Sequence, residues 1–281
     1  MKFGCHISVA KGFYKACQQA QNLGAESFQV FTKNPRSLRP KKLNKEDARK
    51  GREFCQAQGL TLVTHTPYIS NLSTPKDDLH QVTIRSIRED LQIAEAFGAI
   101  GAVVHCGKHM GEGEQAGIER MIETLNQILS ESDVETKLLL ENTAGQGTEL
   151  GLSIQQLAMI RDATDYKEKI GFCFDTCHGF AAGIWTAESF PEFVKSMKKC
   201  GYYDHLVAIH FNDSKAPFNS RKDRHQKIGK GEIGSEALQC FLQEPSFEHL
   251  PIILETPVDD EREYAAEIEY LKLLQTRVND R

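Results

Sequence analysis

Residues 77–107, DDLHQVTIRSIREDLQIAEAFGAIGAVVHCG, contain both halves of the unit from which this chain is built. Leu79, Val82, Ile87, Leu91, Ile93 and Ala94 recur at gaps near three and four, the period of one helix face. Two acids open the segment, where they suit the positive end of a helix, and Gly98 closes it. The β-branched run GAVVHCG at 101–107 then reads as a strand. The same alternation continues in both directions. Strand-like runs recur at 2–8, 27–32, 61–67, 101–107, 137–143, 170–178, 206–214 and 251–257, each bounded by Gly, Pro, Asn or a polar cluster. Helix-patterned segments occupy 114–130, 153–163, 187–200, 234–243 and 260–275. Eight strands alternating with helices, with no linker, low-complexity stretch or close repeat, predict an α/β fold: a (β/α)8 TIM barrel forming a single domain over 1–281. Such barrels carry their active sites at the C-terminal ends of the strands.

Those ends are unusual here. His65 ends TLVTH, His105 ends GAVVH, Glu141 ends KLLLE, Asp175 and His178 end GFCFDTCH, His210 ends LVAIH and Glu255 ends PIILE. Asp223-Arg224-His225 follows a dozen residues after His210. A lone histidine at a strand end is more often structural. A carboxylate at the edge of an apolar run, however, is costly unless paired or metal-bound. The i, i+3 spacing of Asp175 and His178 aims two groups at one cavity as the chain turns out of a strand, and alternate residues of an extended loop bring Asp223 and His225 to one side. Five histidines and four carboxylates form a nitrogen-and-oxygen ligand set suited to zinc or manganese. Nine such groups exceed the needs of one ion, so they read as a polynuclear hydrolytic centre.

Bulk properties narrow the function classes. The longest apolar runs are strand-sized, so no membrane span is expected. The N-terminal MKFGCHISVAKG lacks the apolar stretch and cleavage site of a secretory signal, and a cytoplasmic location is expected. Eight scattered cysteines without a CxxC pair read as free, mostly buried thiols, with Cys177 a minor ligand candidate. A net charge of −5 argues against general charge-driven binding to nucleic acid. Yet residues 33–52 carry nine Lys or Arg against two acids, and residues 215–230 carry six against one. Half of the first stretch should begin a helix with a solvated face, which is the ordinary meaning of a charge run. Beside candidate ligand loops, the two clusters also suit a local polyanion path.

The remaining histidines suit other tasks. His80 falls on the patterned helix, His249 lies in a connection, His205 precedes the seventh strand at the opposite face, His109 suits loop structure, and His6 is expected behind the ligands. GKGEIG at 229–234 fits either a phosphate-binding loop at a helix start or a tight turn.

End to end, the chain resembles the endonuclease IV family of apurinic/apyrimidinic endonucleases. The resemblance is carried by GCHIS, FTKNPR, HTPYISNL, VVHCG, ENTAGQGTELG, CFDTCHGFAAG, HFNDSK, DRHQKIGKGEIG and LETP in this order. It implies three zinc ions in the barrel mouth, with manganese possible in their place. One would be held by His65, His105 and Glu141, a second by Glu141, Asp175, His210 and Glu255, and the third by His178, Asp223 and His225. It implies double-stranded DNA as partner, cut 5′ to an abasic site to leave a 3′-hydroxyl and a 5′-deoxyribose phosphate, with trimming of blocked 3′ ends. Glu141 would bridge two ions, and Glu255 would orient or deprotonate the attacking water. Arg36 and the Tyr68-Ile69 pair match positions that enter the minor groove, and Lys215, Arg221 and Arg224 would hold phosphates. A monomer is expected. Cys106, where the family usually has proline, and Trp185, in a segment that usually reads Gly-Tyr-Asp, depart from the pattern.

The rival reading is a sugar isomerase or epimerase on a related barrel. It accounts for Glu141, Asp175, His210 and Glu255 but leaves His178, Asp223 and His225 surplus.

Overall fold

Each expected strand forms and starts where expected, but ends earlier. The strands are β1 (Lys2–His6), β2 (Ser27–Phe31), β3 (Thr61–His65), β4 (Gly101–His105), β5 (Lys137–Glu141), β6 (Ile170–Asp175) and β7 (Leu206–His210), then two short ones, β8 (Asp213–Ser214) and β9 (His225–Gln226), and finally β10 (Pro251–Leu254). The computed structural model describes residues 1–276. Eight parallel strands close into a barrel in the order β1-β10-β7-β6-β5-β4-β3-β2, while β8 and β9 pair antiparallel outside it.

The alternation of strand side chains sets what faces the interior. Val63, Val103, Leu139, Cys173 and Ala208, all fully buried, pack together as a layer inside the barrel. Each lies two residues before a candidate ligand: His65, His105, Glu141, Asp175 and His210. Period two therefore carries every one of those ligands into the interior, one layer above an apolar floor. Intervening residues such as Leu62, Val104, Leu140, Phe172, Phe174 and Ile209 face outward into the larger core shared with the helices. Strand register finishes the alignment, with His105 opposite Glu141 and Asp175 opposite His210.

The helices are α1 (Phe13–Asn22), α2 (Lys45–Gln58), α3 (Asp77–Phe97), α4 (Glu114–Ser130), α5 (Ile154–Asp162), α6 (Thr176–Ala181), α7 (Phe190–Lys199), α8 (Gly234–Gln243) and α9 (Tyr264–Thr276). α3 spans the residues its periodicity predicts, and Gly98 takes the left-handed conformation that ends it. Two helices escape the sequence reading. α1 has no side-chain cap of its own; its first amides, Phe13 N and Tyr14 N, instead donate to Asp47 of α2 at 2.7 and 3.2 Å. α6 begins inside the run expected to be strand at 170–178, because the Asp175 side chain accepts the amide of His178 at 2.6 Å and caps a helical turn. The i, i+3 spacing of these two candidate ligands is thus the geometry of a helix N-cap.

Candidate metal centre and nucleic-acid face

The nine expected ligands converge at the C-terminal mouth of the barrel. Their ligand atoms form three groups, each within 4.8 Å: His65, His105 and Glu141; Glu141, Asp175, His210 and Glu255; and His178, Asp223 and His225. Asp175, Cys177 and His225 form a fourth, overlapping set. Glu141 lies at the centre. Its Oε2 is 3.0 Å from His105 Nε2 and 3.3 Å from His65 Nε2, while its Oε1 is 2.8 Å from His210 Nδ1. His178 Nε2 and His225 Nε2 sit 3.3 and 3.4 Å from Asp223 Oδ1. A cavity of about 440 Å³ opens beside these groups, lined by His65, His105, His178, Asp223, His225 and Glu255 together with His6, Tyr68 and Tyr264.

Four of the five candidate ligand histidines are oriented from behind. His65 Nδ1 lies 2.7 Å from the carbonyl of Thr66, His178 Nδ1 2.9 Å from that of Asn142, and His225 Nδ1 3.2 Å from that of Glu255. His210 does the same from its other nitrogen, with Nε2 2.7 Å from Gln29 Oε1. A carbonyl oxygen only accepts, so each of these rings carries a proton on that side and presents its other nitrogen to the neighbouring ligand groups. Metal-ligating histidines are held in this manner. Two of the presented atoms, His178 Nε2 and His225 Nε2, are buried without a hydrogen-bond partner, which fits them to a cation.

Charge leads to the same conclusion. Burial resists ionisation of Glu141, but the facing His210 and His105 outweigh it and hold its carboxyl well below the usual range. Burial likewise resists protonation of His178, yet Asp175 and Asp223 raise it well above an ordinary histidine. The pocket therefore demands positive charge near its carboxylates, which bound cations would provide.

Sequence reasoning missed the polar residues that brace this set. Gln29, fully buried in β2, donates from Nε2 to Glu255 Oε1 at 2.7 Å while accepting from His210. Asn142 clamps the Asp175 backbone, accepting its amide at 2.7 Å and donating to its carbonyl at 3.0 Å. Asn212 donates to Asp175 Oδ2 at 2.7 Å and accepts the Glu255 amide at 2.8 Å. A signal existed: a glutamine in the middle of SFQVF, and an asparagine just after Glu141 or His210, are polar residues where strand ends meet the core.

The remaining histidines lie outside the ligand groups. His6 lines the cavity, its Nδ1 3.2 Å from Gln29 Nε2, and burial lowers it to about 4 so that it stays neutral. His109 Nδ1 accepts two loop amides, from Gly111 and Gly113. His80 is buried against Thr124 at 2.8 Å. Cys177 is buried, and burial pushes its thiol up to about 12, against a thiolate.

Around the mouth, Arg36, Lys215, Arg221 and Arg224 are exposed. Tyr68 and Ile69 are half-exposed at the tip of the loop after β3. The loops of Arg36 and Tyr68 are tied together by the Tyr68 amide donating to the Pro35 carbonyl at 2.9 Å. Lys33 departs from the solvated reading of its charge run: it is buried, 2.8 Å from Glu89 and 3.3 Å from Asp90. GKGEIG resolves as a turn whose amides bind the chain's own Asp213 carboxylate rather than presenting themselves to a phosphate. Cys106 is buried, its thiol donating to the Glu141 carbonyl at 3.4 Å. Trp185 is buried behind α6, with Nε1 donating to the Thr176 carbonyl at 3.0 Å.

A closed parallel barrel with clustered His, Asp and Glu at its C-terminal mouth defines an enzyme of the xylose isomerase-like TIM barrel class, and the family so described matches residues 17–274. A probable endonuclease 4 from Symbiobacterium thermophilum is 50% identical over 274 residues, covering 98% of this chain and 99% of that protein. The crystal structure of endonuclease IV from Thermus thermophilus is 32% identical with a TM-score of 0.88, covering 98% of each chain. The chain belongs to the endonuclease IV family and is a nuclease, hence a hydrolase. A D-tagatose 3-epimerase-like protein, 22% identical at a TM-score of 0.72 over 98% of both chains, shares the fold alone. No helix among the described residues is long and apolar enough to cross a membrane.

Proposed function

We propose that this nuclease is a zinc-dependent DNA-repair endonuclease that hydrolyses the phosphodiester 5′ to an abasic site in base excision repair, leaving a 3′-hydroxyl and a 5′-deoxyribose phosphate, and that also trims blocked 3′ ends. The observation that carries the reading is Glu141 shared between two ligand groups beside a third. A sugar isomerase has no use for the group of His178, Asp223 and His225. Bound to these three groups, divalent cations would supply Lewis-acid charge for phosphate oxygens and lower the pKa of water, and three of them against four carboxylates would leave a positive surplus suited to an anionic phosphodiester.

The chain's own residues supply orientation and shape. Glu255 stands at the cavity edge with Oε1 fixed by Gln29 at 2.7 Å, poised to align a water and accept its proton. Tyr68 and Ile69 present an apolar wedge beside the cavity, suited to the gap left when an unpaired, unstacked nucleotide swings out of a duplex. Arg36, Lys215, Arg221 and Arg224 surround it as exposed cations for phosphates, so recognition would rest on backbone and deformability rather than sequence. This local path makes the overall charge of −5 tolerable.

The test is incision of a duplex carrying one internal abasic analogue that cannot undergo β-elimination, with the product ends mapped and bound metal counted. A cut on the 5′ side leaving a 3′-hydroxyl, insensitive to mild chelation and lost on stripping with a strong zinc chelator, is expected. Fully metallated protein that leaves the analogue intact would refute the reading.

A further inference from the structure

Asp213 is fully buried beside the ligand-bearing loop and belongs to none of the ligand groups. Its carboxylate accepts five backbone amides. Oδ1 takes those of Ser214, Ile233 and Gly234 at 2.7, 3.0 and 3.4 Å, and Oδ2 those of Gly229 and Gly231 at 3.0 Å each. Converging amides of this kind make an anion cradle. Here the occupant comes from the chain itself. The cradle requires glycine at 231, where a Cβ would fall 2.5 Å from Asp213 Oδ1 and 2.3 Å from the Ser214 carbonyl.

The same carboxylate lies at the crossing point of the loop. Asp213 begins β8, in which Ser214 pairs with the candidate ligand His225 and Asp213 itself with Gln226. The Lys215 amide donates to the Arg224 carbonyl at 2.8 Å, and the Glu232 amide to the Ser214 carbonyl at 2.7 Å. Entry (213–215), ligand stretch (223–226) and exit (229–234) are therefore one hydrogen-bonded unit. Without the carboxylate, buried donors lose their acceptor and the exit turn has nothing to close around.

We infer that Asp213 is a positioning residue of the nuclease, filling the anion cradle of residues 229–234 from within and thereby fixing Asp223 and His225 for the third ligand group. The inference rests on reading that group as a metal site. Glu267 holds the other side of the loop, with Oε1 accepting the Ile228 amide at 3.0 Å, so loss of Asp213 loosens the loop without releasing it.

The test uses the full chain with Asp213→Ala and Asp213→Asn, and formate as the probe for the vacated cradle. In Asp213→Ala, metal affinity at one group should fall roughly 10–100-fold, the range for removal of a residue that orients a ligand. Formate should raise the melting temperature of Asp213→Ala and restore the lost ion and the incision rate. It should do neither for the parent nor for Asp213→Asn, whose side chain fills the space but turns a donor toward donors. In the parent, the amides of Gly229, Gly231, Ile233 and Gly234 should resist hydrogen exchange although 229–233 lie outside helix and sheet, a readout that needs no variant to fold. Fast exchange of those amides, or Asp213→Ala with full metal and activity in the absence of formate, would overturn the inference. A parent chain that binds no ion at the third group would instead overturn the metal reading, while exchange and formate would still decide whether Asp213 holds the loop.

Discussion

Gln29→Leu removes one amide from beneath the centre, and with it a partner of His6 at 3.2 Å as well as those of His210 and Glu255. The side chain is fully buried and similar in volume to leucine, so cavity formation contributes little. The loss is polar. His210 Nε2 loses the acceptor 2.7 Å away, and Glu255 Oε1 loses a donor at the same distance. A buried donor left without a partner costs about 1–3 kcal/mol, and a hydrogen bond to a charged group contributes about 1.5–3 kcal/mol. Together these put on the order of 4 kcal/mol at stake, divided between folding and ligand placement. The histidine can also recover a partner by moving its proton to Nδ1, which faces Glu141 at 2.8 Å and Glu255 at 3.2 Å, and the lone pair offered to a metal is then gone. Metal affinity should fall roughly 10–100-fold. The assay is chelator competition for bound metal alongside kcat/KM for abasic-duplex incision. Gln29→Leu should release metal to a chelator that the parent resists and lose at least as much in kcat/KM. Gln29→Glu keeps the acceptor for His210 but sets a carboxylate against Glu255, so its defect should ease as pH falls and the new acid protonates. Gln29→Leu with full metal content and a rate within about twofold of the parent would refute the argument that this amide sets the tautomer.

Three further outcomes are expected. Burial, opposed by Lys33, raises the Asp90 carboxyl to about 6; a proton favoured by the folded state stabilises it below about pH 4, and that stability is lost as pH rises through 6. Urea denaturation between pH 4 and 7 should show the parent losing on the order of 3 kcal/mol relative to Asp90→Asn, and a constant difference across that window would contradict the assignment. Tyr68→Ala combined with Ile69→Ala should weaken binding to abasic duplex by about 1–3 kcal/mol for each stacked base, at unchanged metal content; unaltered binding in a filter assay would remove the wedge from the mechanism. Trp185→Phe should cost about 2 kcal/mol in thermal or urea unfolding by taking a buried indole N–H from the Thr176 carbonyl and opening a small cavity, and an unchanged midpoint would count against that contact.

Local physics is legible along the chain. Strand alternation puts His65 on the same face as Val63, and Glu141 on the same face as Leu139, whatever the rest of the chain does. The stripe of α3 and its closing Gly98 are likewise local, and the helix spans the residues predicted. The candidate ligands were legible because a carboxylate or imidazole ending an apolar run needs a partner, and six strands end that way. Interactions between distant segments left no comparable trace. α1 is capped by Asp47 from a different helix, Lys33 is drawn from a basic run into contact with Asp90, and Gln29 reaches His210 across 181 positions of sequence. The glycines of 229–234 looked equally ready for a phosphate or a tight turn, because nothing within that segment reveals that Asp213 occupies its amides. Sequence alone determined the barrel, the end of it that carries the candidate site and the nine candidate ligands that meet there, since each depends on spacing along one strand or loop. Only the tertiary structure decided which nitrogen each histidine offers, which residues brace them and which cations remain free for a ligand, since those depend on strand register and on partners brought together by closure of the barrel.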